Sequence, residues 1–245
     1  MNRRLLLPAV VVSVSIGALF PAVADEPTSA ALMQTLPHDG AWATYNVNVM
    51  VNDQEFIMSA TARLVGQATY GGKLCRFIEY EQTVAAPPAI DVPQLGNLTW
   101  RLLVPEEEFG EGKDPLGKAV KMWVKIDQQD PEVVDSIERT DPIFATIFRG
   151  PTKNLKVEDA PEKIMWQRGT LECEVVSGQN DFQLGTFQLD IAHRVFKHPD
   201  VPFGVAGMQQ GMKATFGGQE VKVSLRASLR DHGKEAKAKL PELVP

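Results

Sequence analysis

Near the end of the chain, Val221, Val223, Leu225, Ala227 and Leu229 alternate with Lys222, Ser224, Arg226, Ser228 and Arg230. Successive side chains of an extended strand point to opposite faces, so this stretch predicts a strand with one apolar and one solvated side. The same period of two appears early in the chain. Ala43, Tyr45, Val47, Val49 and Val51 alternate with Trp42, Thr44, Asn46, Asn48 and Met50. After a turn at Asn52-Asp53-Gln54, Phe56, Met58, Ala60, Ala62 and Leu64 alternate with Ser59, Thr61 and Arg63. Glycine pairs at Gly71-Gly72 and Gly217-Gly218 mark tight hairpins. Further strands are predicted over 74–84, 98–104, 123–126, 164–168, 170–177, 187–197 and 208–216, giving roughly nine or ten in all.

The intervening stretches differ in kind. Pro27-Thr28-Ser29 reads as a cap before a short helix over Ala30–Leu36. Asp114-Pro115 and Asp141-Pro142 each place a capping acid before a proline at the first helical position, predicting short helices over 116–122 and 143–148. Pro87, Pro88 and Pro93 make 85–97 a loop or edge crossing. Charged, apolar-poor sequence from Asp231 predicts a flexible polar tail over 231–245. The expected fold is mainly β: one domain over 25–230, a curved antiparallel sheet or half-barrel with two or three short helices.

Residues 1–24 read as an export signal. Arg3 and Arg4 precede an apolar run, Leu5 to Leu19, and Ala22-Val23-Ala24 supplies the small residues that signal peptidase accepts. The run falls short of the ~20 residues a membrane span requires. The residue after the expected cut is Asp25 rather than a cysteine that could be acylated. The expected product is an exported soluble protein, periplasmic or extracellular, with no transmembrane segment after cleavage.

Composition narrows the function classes. Over 245 residues, 31 Asp+Glu outnumber 25 Lys+Arg for a net charge of −6, and an acidic chain lacks the basic face that nucleic acid requires. Two cysteines, Cys75 and Cys173, exclude a four-cysteine metal site. In an oxidising compartment they either pair or remain two buried thiols. His193 and His198 are an odd number of residues apart, so on a continuous strand they face opposite sides and no metal is expected. No nucleophile elbow, phosphate loop or dinucleotide fingerprint occurs, no cofactor is called for, and a hydrolase ranks third among the readings. Glu106–Glu108 and the pair Glu79/Glu81 read as solvated carboxylates. His198-Pro199-Asp200-Val201-Pro202-Phe203-Gly204-Val205 joins two predicted strands. Its Phe203 and Val205, with Met208, Met212 and Phe216 beyond, are the candidate lining of an apolar ligand cavity, the alternative being that they close an ordinary β core.

Six phrases carry a resemblance: Leu36-Pro37-His38-Asp39-Gly40-Ala41-Trp42, Cys75-Arg76-Phe77-Ile78-Glu79, Leu103-Val104-Pro105-Glu106, Gly112-Lys113-Asp114-Pro115-Leu116, Leu171-Glu172-Cys173-Glu174 and the His198–Val205 stretch. Together they resemble an uncharacterised family of exported proteins of planctomycete-type bacteria. The resemblance implies secretion and a β-rich fold and brings no catalytic residues with it. The outline is also similar to periplasmic lipoprotein-carrier half-barrels, without any specific motif of those carriers. The leading expectation is a non-enzymatic exported protein binding an apolar small molecule, a lipid or an envelope partner. The alternative is a structural or interaction protein of the envelope with a filled core and no ligand. The oligomeric state is open.

Overall fold

A computed structural model describes residues 33–51, 54–84, 97–134 and 149–241. The expected signal segment, most of the proline-rich loop and the expected helix over 143–148 lie outside the described residues. Among the described residues twelve strands form: β1 (Trp42–Val51), β2 (Gln54–Tyr70), β3 (Lys73–Val84), β4 (Leu98–Pro105), β5 (Lys121–Ile126), β6 (Glu132–Val134), β7 (Lys153–Val157), β8 (Glu162–Trp166), β9 (Gly169–Leu184), β10 (Phe187–Lys197), β11 (Val205–Phe216) and β12 (Gln219–Gly233). They pair in the order β6-β5-β4-β3-β2-β1-β12-β11-β10-β9-β7, with β8 continuing along β9. The sheet is open and antiparallel.

The alternation of apolar residues sets the register. Val47 lies opposite Met58 of β2 and Ala227 of β12, and Val49 lies opposite Phe56 and Leu225. The apolar stripes of the three strands therefore fall on one face, where a slip of one residue would turn each of them to water. A core cluster built on that face includes Leu64, Ile78, Trp100, Leu102, Met122, Val195 and Met208, with Met33, Phe109, Leu116 and Phe203 added from the connections. Fully burying a side chain of this size contributes ~1.5–3 kcal/mol, so the shared apolar face is the main source of cohesion.

Among the described residues the helices expected over 30–36 and 116–122 are not borne out. Residues 33–36 form an irregular turn with Met33 at φ 65, and Asp114 caps a single 3-10 turn over Leu116–Lys118 before β5 begins. Asp114 does act as a cap, its Oδ1 accepting the Gly117 N–H at 3.1 Å while Oδ2 pairs with Arg149. The capping signal was sound, but only Leu116 of this turn is buried, and one turn without an apolar stripe does not propagate. Other 3-10 turns occur at Glu106–Glu108 and Pro202–Gly204. Among the described residues no helix is long and apolar enough to cross a membrane.

Two boundaries also move. β9 runs straight through Gly178, expected to be a turn. A Cβ there would stand 2.7 Å from Pro151 Cβ and 2.9 Å from the Lys153 carbonyl, so glycine admits the neighbouring chain. At the C-terminus, Asp231–Gly233 belong to β12, and residues beyond it pack back onto the sheet instead of fraying.

Candidate functional site

The loop between β10 and β11 is closed by its own backbone. The His198 N–H donates to Gly204 O at 3.1 Å, Val201 N–H to His198 O at 3.2 Å and Gly204 N–H to Val201 O at 2.9 Å. This winding places Phe203 at φ 64, ψ 3, in the left-handed region, which costs a non-glycine residue roughly 1–2 kcal/mol. Burial of its phenyl ring, 2% exposed, offsets that cost. Gly204 follows at φ 76, where a Cβ would come within 2.7 Å of Thr35 Oγ1.

The structure brings Phe203, Val205 and Met208 together inside the main core cluster, against Val47, Val195 and Tyr45. The Tyr45 hydroxyl donates to Val205 O at 2.8 Å, and burial pushes its phenol well above the usual range, so it remains a donor. Met212 lies elsewhere, in a second cluster with Leu189 and Ile191. Phe216 is opposite Phe187 at the end of β11, and its side chain lies outside the described ones. An open cleft of about 640 Å³ is bounded by Gln34, Leu36, Glu106, Phe109, Glu174 and Lys197, and none of the five candidates lines it. Its walls are largely polar, with Lys197 Nζ donating to Gln34 Oε1 at 3.3 Å.

The remaining candidates also disperse. His193 is 2% exposed and faces Gln210, whose Nε2 stands 3.0 Å from its Nδ1. Burial depresses the imidazole pKa to about 4, so the ring is neutral. His198 instead lies in the loop, its Nδ1 accepting the Asp200 N–H at 3.2 Å. Among the described residues no three His, Cys, Asp or Glu side chains converge as metal ligands. Cys75 and Cys173 are both free thiols, which corrects the possible disulfide. Each is fully buried in a separate cluster, Cys75 with Leu103 and Trp123, Cys173 with Val175 and Phe196. Burial pushes both thiols up, away from the reactive thiolate.

The most concentrated polar chemistry is on the sheet's other face, at a residue the sequence assigned to water. Glu79 is 0% exposed. Its Oε1 accepts from Arg101 Nε at 2.9 Å and Nη2 at 2.5 Å. The same carboxylate accepts two successive backbone N–H groups, Lys239 on Oε2 at 2.7 Å and Leu240 on Oε1 at 3.0 Å. Arg101 in turn donates to Leu240 O at 2.7 Å and Pro241 O at 2.6 Å. The Leu240 side chain, 4% exposed, enters an apolar cluster with Cys75, Leu103 and Trp123, flanked by Ala68 and Phe77. Beside the pair, Arg63 bridges Glu81 at 2.5 Å. The sequence does hold one signal of this arrangement. Arg63, Glu79 and Arg101 fall in line across β2, β3 and β4, opposite charges at directly facing positions.

Comparisons with known proteins add only distant likenesses. No family model matches the chain, and no curated protein matches it. Among solved structures, one is a Bacteroides fragilis protein described as exported, with a YmcC-like fold. It has 11% identity and a TM-score of 0.38 over 81% of this chain and 98% of its own. Another, from Parabacteroides distasonis and described as a lipoprotein, has 8% identity and a TM-score of 0.35 over 83% of this chain and 99% of its own. Likenesses at this level transfer no ligand, partner or location to the chain.

Proposed function

We propose that this is an exported, non-enzymatic interaction protein of the cell envelope, a β scaffold with a filled interior that acts through its surface. The carrying observation is the fate of the expected ligand cavity. Phe203 at 2%, Met208 at 5% and Val205 at 9% exposure are packed against protein. A cavity for a small apolar ligand would leave such side chains facing a space of a few hundred Å³ or more. Residues of β1 to β5 and β10 to β12 meet in one shared apolar cluster. The apolar side chains of this cluster face one another. Export rests on Arg3 and Arg4, the apolar run to Leu19 and the Ala22-Val23-Ala24 site, with cleavage giving a chain that begins at Asp25.

The test is a titration of residues 25–245 with a fluorescent fatty-acid probe and a fluorescent phospholipid probe. No saturable signal is expected up to the solubility limit of either probe. Stoichiometric, saturable binding that Phe203→Ala or Met208→Ala alters would replace the scaffold reading with that of an apolar-ligand carrier.

A further inference from the structure

We propose that the face of β3 and β4 carrying Glu79 and Arg101 is a docking site for an extended peptide with a leucine anchor followed by proline. The chain's own Lys239-Leu240-Pro241 fills it in cis, and a segment of the same chemistry from a partner polypeptide takes its place. The geometry is that of a receptor and its ligand. One buried carboxylate accepts two successive N–H groups, and one buried guanidinium donates to two successive carbonyls. Main-chain recognition of this kind holds any extended segment, while a side-chain pocket supplies the choice of sequence. Here the pocket between Cys75, Leu103 and Trp123 accepts Leu240. Proline at the following position suits the site because Pro241 contributes only its carbonyl, and its ring biases the residue before it towards extended backbone.

Glu79 and Arg101 also suit a site that exchanges occupants. They bond directly to each other, so neither charge stands alone when the segment departs. The arm is tethered lightly between Gly233 and Lys239. Residues 234, 235, 237 and 238 are exposed, Ala236 N–H donates to Gly40 O at 2.7 Å, and Glu235 sits at φ 76, a strained value for a non-glycine residue. Releasing the arm relieves that strain and leaves the strands intact.

This inference rests on reading the protein as an interaction scaffold. The lipid probes interrogate the interior and the following experiment the outer face, so either can fail without the other.

The probe is a fluorescein-labelled peptide of residues 236–245, titrated by anisotropy into the full chain and into its Leu240→Asp variant, whose arm no longer fits the pocket. The variant is expected to bind the peptide saturably and at least tenfold more tightly than wild type. A peptide with aspartate at the position of Leu240 should not bind, and Arg101→Met in the variant should abolish binding. A folded variant that ignores the peptide at millimolar concentration overturns the proposal. A second readout needs no variant. In wild type the Lys239 and Leu240 amides should exchange with deuterium at least a hundredfold faster than the ladder amides of β3, showing release of the arm from a folded sheet. Equal rates overturn the proposal by making the arm inseparable from global unfolding. A peptide-induced or spontaneous dimer in light scattering would identify the partner as a second copy.

Discussion

Replacing Arg101 by methionine removes the cation from a carboxylate that has no water to turn to. Glu79 is 0% exposed and Arg101 is 4% exposed. Exposed ion pairs contribute under about 1 kcal/mol, but breaking a buried pair by removing one partner costs roughly 3–5 kcal/mol, because the remaining charge is uncompensated. The two backbone N–H bonds from Lys239 and Leu240 soften the loss for Glu79, while the Leu240 and Pro241 carbonyls lose their donor. For a domain of this size each kcal/mol moves Tm by about 2–4 °C, so Arg101→Met should lower Tm by roughly 6–20 °C in a calorimetric scan. The double variant Glu79→Met/Arg101→Met removes both charges and should melt above the single variant, since no orphan charge is left. If Arg101→Met melts within 2 °C of wild type, or the double variant melts below it, the reasoning from a buried, mutually compensating pair is wrong.

Other consequences follow from the same packing. His193 is held neutral when folded, with a pKa of about 4, and takes a proton when unfolded near its ordinary 6.5. Stability attached to this ring is therefore intact above pH 6.5 and is lost as pH falls towards 4. It amounts to about 2 kcal/mol between pH 7.5 and pH 5 by linkage. Urea midpoints at the two pH values should show a loss in wild type that is smaller in His193→Gln, and equal losses would exclude the residue as the cause. Gly178→Ala should destabilise by at least 1–3 kcal/mol, because its Cβ would meet the Lys153 carbonyl at 2.9 Å, and an unchanged midpoint would contradict the close approach. Dithiothreitol should leave Tm unchanged, since Cys75 and Cys173 are free, and a fall in Tm on reduction would reveal a bond between them.

Much of the strand framework was legible because one face of most strands is buried. Alternation in β1, β2 and β12 fixed the elements and their inward sides, since burial on one face imposes a period of two. β7 escaped notice because all five of its residues are exposed, leaving no alternation to detect. β9 was cut short at Gly178, whose lack of a side chain signals a turn as readily as a close neighbour. Of the candidate ligand residues, Phe203, Val205 and Met208 meet near the β10–β11 connection, whereas Met212 packs in another cluster and Phe216 sits at the far end of β11. Apolar character alone does not distinguish a side chain packed on protein from one facing a ligand, so Phe203, Val205 and Met208 fitted either reading. Glu79 was the larger omission. What buries it is a segment 160 residues away, whose own sequence, Lys237-Ala238-Lys239-Leu240-Pro241, carries a single large apolar side chain. Local pattern registers a charged tail and has no means of registering that one leucine and four backbone groups complete a distant site.

The central claim is that the interior of the sheet is filled by its own side chains and carries no cargo. Native mass spectrometry of the protein recovered without detergent from the extracytoplasmic fraction of its own cells tests this most directly. The account predicts the bare mass of a polypeptide beginning at Asp25, unchanged between gentle and denaturing conditions. A bound apolar molecule lost only on denaturation would contradict the filled interior, and a mass retaining residues 1–24 would contradict the export reading.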